Sequence, residues 1–182
     1  LGCGAIGLAF AVLFSTRLRG SGVVTTVAFA PHVLSGAAIA AVWLFIFDPG
    51  YGLVRVLLDP LGITAPNLVN DSDGALVALV IVYLWKNIGF AGLIYLTGMQ
   101  ALPRELDEAA LIDGASAWAR FRRVTLPQLR PITFFLLITT VIGTFQAFDV
   151  IAVMTNGGPG DATTTLSWAI YAEGFEAFDA GR

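Results

Sequence analysis

Long apolar runs alternate with short polar stretches along this chain. The runs cover about 1–14, 23–47, 75–96 and 132–154, and one long polar loop, 102–127, separates the last two. A helix needs roughly 20 apolar residues to cross the hydrocarbon core of a bilayer, so the second, third and fourth runs are long enough to span. The first is shorter and reads as a span cut at its start. Backbone groups left unpaired in lipid are too costly for any open structure, so the spans are expected to be helices. Strands of a closed barrel would be shorter and would alternate apolar with polar, which these runs do not. The pattern predicts an all-α, polytopic transmembrane helix bundle with a helix–turn–helix loop between its last two spans.

Composition agrees with that class. Apolar residues make up 57% of the chain and charged residues 13%, with a mean hydropathy of +0.79. A soluble domain with so few charges could not cover its surface, so the lipid bilayer is the expected surrounding and no nucleic-acid partner is expected. Cys3 and His32 are the sole residues of their types. They exclude an internal disulfide framework and a Cys- or His-based metal cluster, so no metal site is expected. The chain opens on Leu1 rather than Met and reads as a fragment. A secretory signal would carry basic residues before its apolar stretch; here Arg17 and Arg19 follow it instead, as they would follow a span leaving toward the cytoplasm.

Charge asymmetry sets the expected orientation. Arg17 and Arg19 lie in the first loop, and Arg104, Arg120, Arg122, Arg123 and Arg130 lie in and beside the third. The second loop carries Asp48, Asp59, Asp71 and Asp73 against Arg55, and the tail carries Asp161, Glu173, Glu176 and Asp179, with Arg182 at its end. Since Lys and Arg stay on the cytoplasmic side, the first and third loops face inward and the second loop and tail face outward. Gly36 and Ala40, Gly89 and Gly92, and Gly143 lie within the runs, where small residues let helix backbones approach closely.

Within 102–127, Pro103 suits a helix's first turn, where its missing N–H costs nothing. Glu105, Asp107 and Glu108 fall where the helix dipole favours acids. Gly114 can take the left-handed geometry that ends a helix, and Ser116 can cap a second one running to about Val124. Trp118 and Phe121 share a face of that second helix, and Pro127 and Pro131 are expected to stop it before the last span.

These residues resemble a known motif. Glu108-Ala109-Ala110, three residues, Gly114, nine residues, Val124, one residue and Leu126-Pro127 are similar to the EAA loop of membrane subunits of binding-protein-dependent ABC importers, with Val124 where Ile is usual. The resemblance implies that Glu108, Ala109, Ala110, Asp113, Gly114, Leu126 and Pro127 form a cytoplasmic coupling loop that fits a cleft on a separate ATPase subunit. Phe148-Asp149, Thr155-Asn156-Gly157-Gly158-Pro159, Thr164, Leu166, Ile170-Tyr171 and Phe175, together with Phe47-Asp48-Pro49-Gly50-Tyr51-Gly52-Leu53, resemble sugar-importing permeases of the maltose and glycerol-3-phosphate type. The resemblance therefore implies a multi-pass permease of the cell inner membrane, with ABC ATPase subunits, a second permease subunit and an extracytoplasmic solute-binding protein as partners. It also implies a missing first span or spans, and a last span beginning near Gly181.

No phosphate-cradling Gly-rich loop with Lys and Ser/Thr is present, so no cofactor is expected on this chain and ATP belongs to the partner. Intramembrane carboxylate pairs suited to acid–base work are absent, and the chain reads as a transport subunit rather than an enzyme. Lys86 and Asn87 lie near the middle of the third run. A Lys there costs roughly 3 kcal/mol and faces the bundle interior or water. Tyr83, Asn87, Phe90 and Ile94 share a helical face; Thr139, Gly143 and Gln146 share another, with Asp149 further outward. Tyr83, Lys86, Asn87, Phe90, Gln146 and Asp149 are the substrate-path candidates, since amides and aromatic rings together suit sugars. Lys86 is equally readable as a structural partner to a carboxylate or helix end, His32 as structural or interfacial, and Thr139 and Thr144 as bonded back to their own helix. The alternatives to a sugar permease are a permease for another solute and a membrane scaffold that holds a partner through the same loop.

Overall fold

A computed structural model of the chain describes residues 2–15 and 21–176. The described residues are all-α as expected, with no strand among them. Arg17 and Arg19, on which the inward assignment of the first loop rests, lie outside the described residues, as do Asp179, Gly181 and Arg182. We number the helices α1 (Gly2–Ser15), α2 (Ser21–Val33), α3 (Gly36–Phe47), α4 (Leu53–Leu58), α5 (Ser72–Gln100), α6 (Arg104–Ile112), α7 (Ala117–Gln128), α8 (Arg130–Phe145), α9 (Asp149–Met154) and α10 (Leu166–Tyr171).

Among the described residues, α5 is the one unbroken helix long and apolar enough to cross a bilayer. At about 1.5 Å per residue it is about 43 Å long, more than the roughly 30 Å of hydrocarbon. Its start is fixed by Asp71, whose Oδ2 accepts the Gly74 N–H at 3.2 Å.

The other long runs are interrupted. The run 23–47 is two helices, α2 and α3, parted at Leu34 and Ser35. Pro31 inside α2 removes the donor that would bond the Val27 carbonyl, and Ser35 takes φ −56° and ψ 134° before the new helix begins. The run 132–154 is α8 and α9, parted at Gln146, Ala147 and Phe148. Two carbonyls at that break are satisfied from the N-cap and first turn of α10. Ser167 Oγ donates to the Phe145 carbonyl at 2.5 Å and Thr165 Oγ1 to the Ala147 carbonyl at 3.3 Å.

The chain divides into two compact units. The first comprises 1–32 and 86–141, the second 33–85 and 142–182. The first is built on Ala11, Ala91, Tyr95, Leu96, Leu129 and Leu136, all buried. Small residues bring its backbones together: a Cβ on Gly7 would lie 2.7 Å from the Ala91 Cβ, and one on Gly89 1.8 Å from the Ala28 carbonyl oxygen. Tyr95 and Thr133 join their hydroxyls at 3.0 Å, and Thr133 Oγ1 bonds back to the Leu129 carbonyl at 3.0 Å. Where lipid is as apolar as the side chains, such contacts supply the association energy.

In the second unit, α3 packs on α9 around Ile39, Ala40, Phe47, Ala78, Val82 and Met154. Gly36 and Ala40 are both buried on the packed face of α3. Trp43 meets Trp85 edge-on at 5.5 Å. Asp48 ends α3 by accepting the N–H groups of Gly50 and Tyr51 at 2.7 and 3.1 Å. Past α9, Thr163 is buried, close to Thr155 Oγ1 at 2.8 Å and donating to the Gly158 carbonyl at 2.8 Å. Trp168 stacks on Phe148 at 5.8 Å and meets Tyr171 at a tilt at 5.6 Å.

Candidate coupling loop and substrate path

The loop 102–127 folds as a helix, a tight turn and a second helix, by local chemistry. Pro103 precedes α6 with φ −61° and ψ 123°, and Glu105 and Asp107 lie in its first turn. Gly114 has φ +74°. Its N–H bonds the Leu111 carbonyl at 3.0 Å while the Ala115 N–H bonds the Ala110 carbonyl at 3.0 Å. This pair of bonds is the Schellman arrangement, which satisfies carbonyls at the end of α6 and reverses the chain. Ala110 of the Ala-Ala pair therefore helps to build the turn as well as standing in the motif. Ser116 caps α7, its Oγ accepting the Ala119 N–H at 3.3 Å, an interaction worth about 1 kcal/mol.

Pro127 does not stop the second helix. The helix passes through Pro127 and ends at Gln128, and α8 begins at Arg130 after a 60° bend. Residues Phe121–Thr125 form a π-helical stretch, closed by the Leu126 N–H on the Phe121 carbonyl. The wider turn moves carbonyls clear of the proline ring, so Pro127 is accommodated and the break falls at Leu129. Pro131 sits harmlessly in the first turn of α8.

No residue of α6 is buried. Leu106, Leu111, Ile112 and Trp118 are exposed, Ile112 at 86%, so the loop presents apolar side chains amid its acids. Glu108, Ala109, Asp113 and Gly114 lie on this exposed surface, with Ala110 half-buried. Trp118 stacks on Phe121 at 5.7 Å, as their spacing predicts. The sequence did not announce the link between the two helices: Asp107 Oδ1 lies 3.0 Å from Arg120 Nε, a charge contact without hydrogen-bond alignment.

The substrate-path candidates divide between the two units. In the first, Lys86, Asn87 and Phe90 surround His32. The His32 ring stacks on Phe90 at 4.4 Å with 9° between planes, and the Asn87 and Lys86 side chains lie near it. His32 Nδ1 is buried without a hydrogen-bond partner. A lone His beside Pro31 in an apolar run was the available signal for this cluster. In the second unit, Tyr83 directs its hydroxyl toward Gly143, where a Cβ would come within 3.1 Å. Gln146 is exposed in the break between α8 and α9. Asp149 opens α9 beside the first turn of α3, and a Cβ on Gly36 would lie 2.9 Å from its Cβ. Thr139 bonds back to the Phe135 and Leu136 carbonyls at 3.0 and 3.2 Å, as an intrahelical role requires.

Comparison with known proteins places this architecture. Over 162 residues the chain is 40% identical to the trehalose/maltose transport system permease protein MalF of Thermococcus litoralis, covering 89% of this chain and 55% of that protein. It is 39% identical over 175 residues to the sn-glycerol-3-phosphate transport system permease protein UgpA of Yersinia pestis, covering 96% of this chain and 59% of that one. The chain thus spans between 55% and 59% of the length of these relatives. A crystal structure of a bacterial ABC transporter that imports the acidic polysaccharide alginate shares the fold, with a TM-score of 0.83 at 23% identity, over 96% of this chain and 62% of that chain. The model of binding-protein-dependent transport system inner membrane components matches residues 4–177, and the chain belongs to that family.

Proposed function

We propose that this chain is the membrane-spanning permease part of an ATP-driven importer, moving a sugar or related solute delivered by an extracytoplasmic binding protein. The observation that carries the reading is the exposed helix, Schellman turn and helix at 102–127, bearing Glu108, Ala109, Ala110, Asp113 and Gly114, with Leu126-Pro127 at its end. It offers a separate ATPase a rigid ledge of apolar and acidic side chains on the cytoplasmic side. A second permease subunit completes the pathway. The relatives named for trehalose/maltose and sn-glycerol-3-phosphate support a small hydroxylated solute. Runs 1–14, 23–47, 75–96 and 132–154 are the membrane segments in this reading, two of them broken.

Orientation is tested by labelling. A Cys at Ala117 is expected to react with an impermeant thiol reagent only from the cytoplasm, and one at Asp71 only from outside, because Arg and Lys are retained inward. Reaction of both from one side overturns the topology. The solute path is tested in reconstituted vesicles. Asn87→Ala and Gln146→Ala are expected to lower ATP-dependent uptake several-fold while the ATPase stays bound. An amide supplies both donors and acceptors to hydroxyls without the desolvation cost of a charge. Cys at either position should be shielded from thiol reagents by solute; no reaction in any nucleotide state would make both side chains packing groups.

A further inference from the structure

We propose that a groove at the bend between α7 and α8 seats one anionic phospholipid. The observations come from two adjoining cavities in the first unit. An open groove of about 500 Å³ is lined by Arg122, Leu126, Pro127, Arg130, Thr133, Phe134 and Leu137. A smaller slot of about 250 Å³, lined among others by Gly4, Ala5, Leu8, Leu136 and Thr140, shares Leu126, Thr133 and Leu137 with it.

Charge selects the occupant. Arg122 and Arg130 both line the groove, and among the described residues neither has a carboxylate within ion-pair distance. Two guanidinium groups without a counter-charge, set beside apolar surface, favour a phosphate carrying its own apolar body. Thr133 adds no free donor, since its hydroxyl is committed to Leu129 and Tyr95. Away from the arginines the lining is apolar: Phe134 is 65% exposed and Leu137 41%.

Length agrees with one leaflet. Arg130 and Thr140 are about 15 Å apart along α8 at about 1.5 Å per residue. Half of a hydrocarbon core of roughly 30 Å is also about 15 Å. A headgroup held by Arg122 and Arg130 therefore places an acyl chain along Phe134 and Leu137 and into the slot by Gly4 and Ala5. The leaflet concerned is the cytoplasmic one under the proposed orientation, where anionic lipids are abundant; retention of the lipid itself does not depend on transport.

The experiment measures lipid retained by the full transporter complex after extraction, by native mass spectrometry, with phosphatidylglycerol and phosphatidylcholine offered in equal amounts. The wild-type complex is expected to keep one phosphatidylglycerol per copy of this chain in preference to phosphatidylcholine. Arg122→Gln with Arg130→Gln is expected to reduce that retention roughly tenfold or more, at about a fivefold loss per arginine near a charged headgroup. Leu137→Trp, which fills the slot and leaves both arginines, should also lower retention. Equal retention of the two lipids by the wild-type complex overturns the proposal whether or not the variants fold. So does unchanged retention in either variant, or displacement of the lipid by free glycerol phosphate as readily as by phosphatidylglycerol.

Discussion

Gly114→Val is expected to disconnect the loop 102–127 from the ATPase it is proposed to hold, while leaving the packed core of the first unit folded. Gly114 sits at φ +74°, and a Cβ there would meet nothing within 4 Å. The penalty is thus purely conformational: a left-handed residue costs roughly 1–2 kcal/mol once it has a side chain, and more when that side chain is β-branched. Escaping the strain breaks the bonds from Gly114 to Leu111 and from Ala115 to Ala110, and α6 loses its angle to α7. Neither bond lies in the buried clusters of the first unit, so its packing is untouched. The measurement is co-purification of the ATPase together with its hydrolysis with and without loaded binding protein. The variant should lose the ATPase by roughly tenfold in affinity, since about 1.4 kcal/mol is a factor of ten, or hydrolyse ATP indifferently to the binding protein. Gly114→Asn, which tolerates the left-handed region, should retain most function. Transport by Gly114→Val at the wild-type rate would overturn the coupling role proposed for the loop.

The loop was legible because its signals are short-range. Pro103, Gly114 and Ser116 each act through bonds to residues within five positions, so the chain alone specifies helix, turn and helix. The broken runs were not legible in the same way. Hydropathy reads 23–47 and 132–154 as continuous, because Ser35 and Gln146 are single polar residues in apolar company. Whether a helix breaks at such a place depends on what receives its freed carbonyls. At this break the donors are Thr165, on the Ala147 carbonyl, and Ser167, on the Phe145 carbonyl, 18 and 22 residues away in sequence. The Asp107–Arg120 contact and the stack of His32 on Phe90 are tertiary for the same reason. Pattern also misjudged Pro127: a proline read as a stop is passed by a π-helical turn, whose presence no composition signal announces.

The glycines within the runs show the limit most sharply, and they supply the second large expected effect. Gly89, Gly92 and Gly143 looked equivalent as small residues in lipid, yet their surroundings differ. A Cβ on Gly143 would meet the Tyr83 hydroxyl at 3.1 Å, the end of a side chain that can move aside. One on Gly92 would strike the Phe10 ring at 2.5 Å. One on Gly89 would fall 1.8 Å from the Ala28 carbonyl oxygen and 2.4 Å from its carbon. Backbone cannot swing away as a side chain does, so α2 and α5 would have to separate. Separation removes contacts along the whole crossing, and in lipid no water exclusion compensates for lost packing. Overpacking of a dense interior costs about 1–3 kcal/mol when side chains can adjust, and more when backbone must shift. Gly89→Ala is therefore expected to exceed that range, lowering the detergent unfolding midpoint by more than Gly92→Ala, with Gly143→Ala close to wild type. Because His32 stacks on Phe90, one residue beyond Gly89, the same variant should also loosen the polar cluster of His32, Lys86 and Asn87 and depress uptake in whatever protein still folds. The ranking is measured by thermal unfolding of the three variants in one detergent; a Gly89→Ala midpoint equal to that of Gly143→Ala would mean that α2 and α5 do not meet through Gly89.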